Sequence, residues 1–184
     1  DVVRSSYPAA FREFMSEVLI EILKGETEEH LTNKIHDFKN SLPNMDVVKI
    51  AKAGAVKNLS KYTPKKKDKF AMFQFQPATP AHVKASIAYN QLIKHFGLDK
   101  QYEPLKDGDK IKWVYLKQNP YGLDGIAMNG YNDPPEIMEI INTYIDHNKI
   151  FERELLKKLE DFYNAMDWGE VLSSTKTAEK FFSF

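Results

Sequence analysis

The chain has 184 residues, 42% of them hydrophobic and 28% charged, with twelve Phe, nine Tyr and two Trp. That is enough apolar material for a core-bearing domain, and it excludes a wholly disordered chain. There is no Cys, which removes disulfides, thiolate metal sites and Cys nucleophiles, and the 26 basic and 26 acidic side chains cancel.

Ser5-Ser6-Tyr7-Pro8 reads as a helix start, with Ser near the N-cap and Pro at the first helical position. Phe11, Phe14, Met15, Val18, Leu19 and Ile22 then recur at helical spacing, and Lys24-Gly25 stops the run. A second helix begins near Thr27, carries Glu28 and Glu29 in its first turn, and ends at Pro43. The short link between the two predicts antiparallel neighbours. Val47–Ile50 reads as extended, residues 51–69 as a loop, and Phe70–Phe75 as a short strand. Thr79-Pro80 starts a third helix, with Ala85, Ala88, Tyr89, Leu92 and Phe96 on its apolar face and Gly97 as its cap.

Lys106–Asp109 is turn chemistry. Ile111, Trp113 and Tyr115 alternate with lysines, the clearest strand in the chain, and Ile126–Met128 reads as its return partner across a long loop. Asp133-Pro134-Pro135 opens a final helical region, either one long helix or two with a break near Asp146–Asn148, that ends at Trp168-Gly169. Residues 170–184 read as a loose polar tail closing on Phe181-Phe182-Ser183-Phe184. The predicted class is α+β. An antiparallel helical stalk (7–43 and 134–168) carries an inserted basic lobe (44–133) with a helix and a β-hairpin. Asp1 without a preceding Met reads as an entry into a longer sequence.

The charge is segregated. Residues 1–48 hold five Lys/Arg against nine Asp/Glu, residues 49–117 hold 15 Lys against five acids, and residues 118–184 hold six against twelve. A polyanion would meet the middle of the chain; the alternative is a solvated, Lys-rich loop. Ala51–Tyr62 strengthens the first reading. Its small residues let a backbone approach a phosphate closely, while Lys57, Asn58, Ser60, Lys61 and Tyr62 supply donors, with Lys65, Lys66 and Lys67 next. This pattern suits a duplex backbone and offers nothing for base reading.

Catalytic patterns are missing from the sequence. Gly122, Gly125 and Gly130 lack the spacing of a phosphate-binding loop. His30 and His36 lie six apart, off the four-residue spacing of a helical zinc pair. Asp107-Gly108-Asp109, set between two lysines, reads as a turn rather than a two-metal site.

Several motifs resemble the C-terminal thumb region of family B replicative DNA polymerases of T-even-type tailed phages. Val3–Pro8 looks like the passage from palm to thumb. Asn58-Leu59-Ser60-Lys61-Tyr62 looks like the Asn-x-x-Lys-Tyr element that grips primer–template duplex. Pro80–Lys84 with Tyr89-Asn90 resembles a helix carrying a basic residue two after a His; Lys84 stands where Arg is common. Gly108-Asp109-Lys110 and Asn119–Gly122 resemble the hairpin that follows. The resemblance implies DNA contacts at Lys57, Asn58, Ser60, Lys61, Tyr62, Lys65, Lys66, Lys67 and Lys84. It implies sliding-clamp docking by Phe181, Phe182 and Phe184, and palm, fingers and exonuclease as further partners in the cytoplasm of an infected bacterium.

The family's catalytic carboxylates and their Mg²⁺ would lie in the palm, so this segment would be non-catalytic alone and need no cofactor. A different reading, from the basic loop alone, is a freestanding nucleic-acid-binding or regulatory protein.

Overall fold

The stripe of Phe11, Phe14, Met15 and Val18 forms helix α1 (Ala9–Leu23) in the computed structural model, which describes residues 7–64 and 73–171. Pro8 is the N-cap, with extended dihedrals, rather than the first helical residue. The second stripe forms α2 (Glu28–Ser41), where the Thr27 side chain accepts the His30 N–H. Pro43 turns the chain out through a 3₁₀ segment. Val47–Ile50 is one helical turn, α3, not a strand. The Asp46 carboxylate accepts the Val48 N–H at 2.9 Å and its carbonyl accepts the Lys49 N–H, and this local capping outweighs the β-branched composition.

The chain divides into two compact units. One runs up to Ile50 and resumes at His147; the other is Ala51–Asp146. The boundaries thus fall at 50/51 and 146/147 rather than at 43/44 and 133/134. By sequence the first unit holds 12 basic and 16 acidic residues and the second 14 and 10, so the segregation of charge survives the shift in boundary.

In the first unit, α1 and α2 share a core with the last helical stretch. Phe38 stacks on Phe14 at 4.0 Å between centroids and meets Phe11 edge-on at 5.4 Å. The last stretch is α7 (His147–Phe151), a π turn (Glu152–Leu156) and α8 (Lys157–Ala165). Its Ile150, Phe151, Leu155, Leu159 and Tyr163 are buried. The Tyr7 hydroxyl donates to the Glu154 carbonyl at 2.6 Å inside the π turn, and the Lys158 ammonium lies 3.3 Å from the centre of the Tyr7 ring. Burial, then the Glu154 charge, pushes the Tyr7 phenol well above its ordinary range. Thr32 and Tyr163 share a hydrogen bond of 2.8 Å that ties α2 to α8.

The second unit is built on a three-stranded antiparallel sheet, β1 (Lys52–Ala55), β2 (Lys110–Tyr115) and β3 (Gly125–Met128), in that order. The expected hairpin is β2–β3, with Trp113 opposite Ala127. The third strand lies in the segment read as a loop: Lys52–Ala55 pairs with β2, Gly54 opposite Ile111 and Ala55 opposite Lys110. Residues 56–58 do form a loop, followed by the single turn α4 (Leu59–Tyr62). Of the strand expected over Phe70–Phe75, the described residues Phe73–Phe75 are not in a strand.

Helix α5 (Ala81–His95) packs along β3. Its His82 stands over the sheet face that carries Gly54 and Ile111, where a Cβ on Gly54 would meet the His82 Cβ at 3.5 Å. Gly125 sits where a Cβ would approach the Val114 carbonyl oxygen to 2.8 Å, so the β2–β3 crossing leaves no room for a side chain. Helix α6 (Pro135–Tyr144) belongs to this unit. Lys117 N–H donates to the Tyr144 carbonyl at 2.7 Å and Asp146 N–H to the Tyr115 carbonyl at 2.9 Å, so the end of α6 is held by the end of β2. The final helical region is therefore broken, at Ile145-Asp146, rather than one long helix.

Candidate nucleic-acid interface

The β1–α4 loop and the turn before β2 interlock. Val56 N–H donates to the Asp109 carbonyl and Gly108 N–H to the Val56 carbonyl, both at 2.9 Å. The Asp107 carboxylate accepts the Leu59 N–H at 2.9 Å, and the Asp109 carboxylate accepts the Lys106 N–H at 2.8 Å. Both acids of the Asp-Gly-Asp segment thus cap backbone donors around Gly108, whose φ of +98° is the conformation a turn asks of glycine. Among the described residues no group of three or more His, Asp or Glu is placed to hold a metal ion.

This bracing fixes the backbone from which Lys57, Asn58, Ser60 and Lys61 project into solvent. Asn58 takes a left-handed φ of 57° at the corner, a conformation that Asn tolerates better than most residues. Tyr62 is half-buried, with the Lys61 ammonium 5.2 Å from its ring centre. Lys106 and Lys110 are exposed on the partner turn and strand. Lys110 stands opposite Ala55, and the pairing of Val56 with Asp109 continues the ladder past it. The sheet therefore brings together two lysines that sequence reading left out of the site. The pairing of β1 with β2, which spans about half the unit, is what joins them to Lys57 and Lys61.

Lys84 is placed differently. Its ammonium forms a 2.6 Å ion pair with Asp124 and lies 5.0 Å from the Phe75 ring centre. Its charge is already matched within the fold. Lys65, Lys66 and Lys67, and Phe181, Phe182 and Phe184, lie outside the described residues, as does Val3–Ser6.

His82, over the same sheet, is half-buried. Burial first, then the nearby Lys52 charge, holds its imidazole below its ordinary value. A base with a depressed folded-state pKa takes up protons more readily when unfolded. Its contribution to stability is complete above the unfolded value near 6.5 and declines as pH falls below it. His82→Gln is expected to destabilise the protein less, relative to wild type, at pH 5.5 than at pH 8. Parallel melting curves of the two proteins check this, and an identical difference at both pH values would refute it.

No helix among the described residues is long and apolar enough to cross a membrane. No family model matches the chain. Over 174 residues it is 27% identical to the DNA-directed DNA polymerase of Enterobacteria phage T4, a match that covers 92% of this chain and 18% of that protein. The chain thus spans about a fifth of the length of the polymerase it resembles, and the similarity to a phage DNA polymerase expected from its motifs is present along nearly all of it.

Proposed function

We propose that this chain is the thumb segment of a family B phage DNA-directed DNA polymerase, which holds primer–template duplex by its phosphates and docks on a sliding clamp by its C-terminal aromatics. The observation that carries the proposal is the similarity to the T4 polymerase over 92% of the chain. The interlocked loops support it. They present Lys57, Asn58, Ser60 and Lys61, with Lys106 and Lys110 alongside, on a backbone braced by four hydrogen bonds of 2.8–2.9 Å. Rigid presentation matters because a phosphate contact gains only what is left after its side chain is ordered. In this reading Lys65, Lys66 and Lys67 extend the cationic track. Lys84 acts on the duplex only by exchanging Asp124 for a phosphate.

Polymerase chemistry would come from carboxylates and Mg²⁺ held by the palm, because Asp107 and Asp109 are occupied as caps. The protein would work in the cytoplasm of the infected host, beside the rest of the polymerase.

Duplex binding measured across a range of salt tests the proposal. Each phosphate neutralised contributes about 0.9 to the slope of log K against log salt. Changing Lys57, Lys61 and Lys106 together to Ala is expected to flatten that slope by about 2–3. Changing Lys24, Arg153 and Lys157, all exposed in the acidic unit, is expected to leave it unchanged. Equal flattening by the two sets would mean unspecific charge attraction and would sink the assignment.

A further inference from the structure

The second unit contains a cleft of about 560 Å³ that borders the duplex interface and shares Lys106 and Lys110 with it. Tyr102, Lys106, Lys110, Asn129, Tyr131 and Asn132 line it. Its size is that of a small-molecule site. Tyr131 is 89% exposed, whereas the Tyr89 ring at the back of the cleft is fully buried.

The loop that carries Tyr131 is held tightly. The Asp133 carboxylate accepts the N–H groups of Asn129 and Gly130, both at 2.7 Å. The Asn129 side chain accepts those of Tyr131 and Asn132, both at 2.8 Å, and donates to the Asn132 carbonyl at 2.9 Å. Asp133 also faces the Tyr89 hydroxyl. Burial first, and then Asp133, pushes that phenol well above its ordinary range. Five hydrogen bonds therefore fix a short loop whose apex is one aromatic ring standing in water.

We propose that this cleft binds an unpaired DNA nucleotide, with its base stacked on Tyr131 and its phosphate met by Lys106 and Lys110. The chemistry of the lining selects this ligand. An exposed ring on a fixed backbone offers a stacking face at little entropic cost, and any base has a face to match it. Lysines beside the ring supply the backbone contact, and Asn132 supplies an amide for a base edge. A base inside a duplex is already stacked on both sides and has no face to give Tyr131, so the site discriminates for an unpaired position. The polymer's identity as DNA rests on the function proposed above; the stacking site does not.

The test uses the full chain with a labelled oligothymidine and, separately, a blunt duplex. Tyr131→Ala is expected to weaken oligothymidine binding by roughly 5- to 150-fold, the range for removing one stacking ring. The same change should alter duplex binding by less than about twofold, and Tyr131→Phe should keep wild-type affinity for both. The exposed ring makes no core contact, so equal melting temperatures for the variants are expected and confirm that they fold. Wild-type affinity in Tyr131→Ala, equal loss for single strand and duplex, or no oligothymidine binding at all would each overturn the proposal. Full displacement of oligothymidine by an equimolar amount of thymidine monophosphate would also overturn it, in favour of a free-nucleotide site. Tyr131-dependent binding of oligothymidine without any duplex binding would support the cleft and sink the thumb reading instead.

Discussion

Phe11→Ala is expected to cost about 3–5 kcal/mol of folding free energy, the range for emptying an aromatic site in a packed core. Phe11 has no exposed surface and sits between two other rings, Phe38 at 5.4 Å and Tyr7 at 6.4 Å, both edge-on. Removing it takes away the transfer term and both ring contacts and leaves a cavity between α1 and α2. Neither helix can close that cavity freely, because Phe38 is also stacked on Phe14. Urea denaturation of the two proteins measures the difference. A loss under about 1 kcal/mol would mean that the neighbouring rings collapse into the space, contrary to this account.

Deleting residues 179–184 is expected to abolish binding to the cognate sliding clamp while leaving melting temperature and duplex affinity nearly unchanged. Three Phe in the last four positions are costly to leave in water, at about 1.5–3 kcal/mol for each side chain that could be fully buried. Two outlets exist for that energy, the body of this chain or a pocket on a partner. A peptide of the last ten residues should compete for the clamp by itself. Pull-down and calorimetry with the purified clamp decide the matter. A marked drop in melting temperature with clamp binding intact would hand the aromatics to the core.

What the sequence discloses and what it hides follow a physical line. Helices α1, α2 and α5 and the β2–β3 hairpin were legible because their signals are local. Apolar residues recur every three to four positions, Thr27 caps, Gly97 stops, and Ile111, Trp113 and Tyr115 alternate. Strand β1 was not legible, since Lys-Ala-Gly-Ala has no alternating apolar side chains and becomes a strand only through pairing with residues about sixty positions later. The same pairing decides the site. Lys57, Asn58, Ser60 and Lys61 could be named from a run of small and donor residues, but Lys106 and Lys110 join them only through the ladder. Lys84 shows the converse. Its partner Asp124 lies forty residues away, and no reading of the helix alone discloses that the charge is matched. The turn at Asp107-Gly108-Asp109 was legible as a turn, but not that both carboxylates would brace the neighbouring loop.

The π turn at Glu152–Leu156 changes how this helix can tolerate insertions and deletions. A π turn holds one residue more than the α turn it replaces, so the faces before and after it are already offset to keep Ile150 and Phe151 on the core side together with Leu159 and Tyr163. Elsewhere in a helix, losing a residue rotates everything beyond it by about 100° and turns the apolar stripe out to water. Within Glu152–Leu156, losing one residue relaxes the π turn to an α turn and leaves both stripes facing inward. The helix can therefore lose one residue beside the Tyr7 hydroxyl that grips its backbone without repacking the unit.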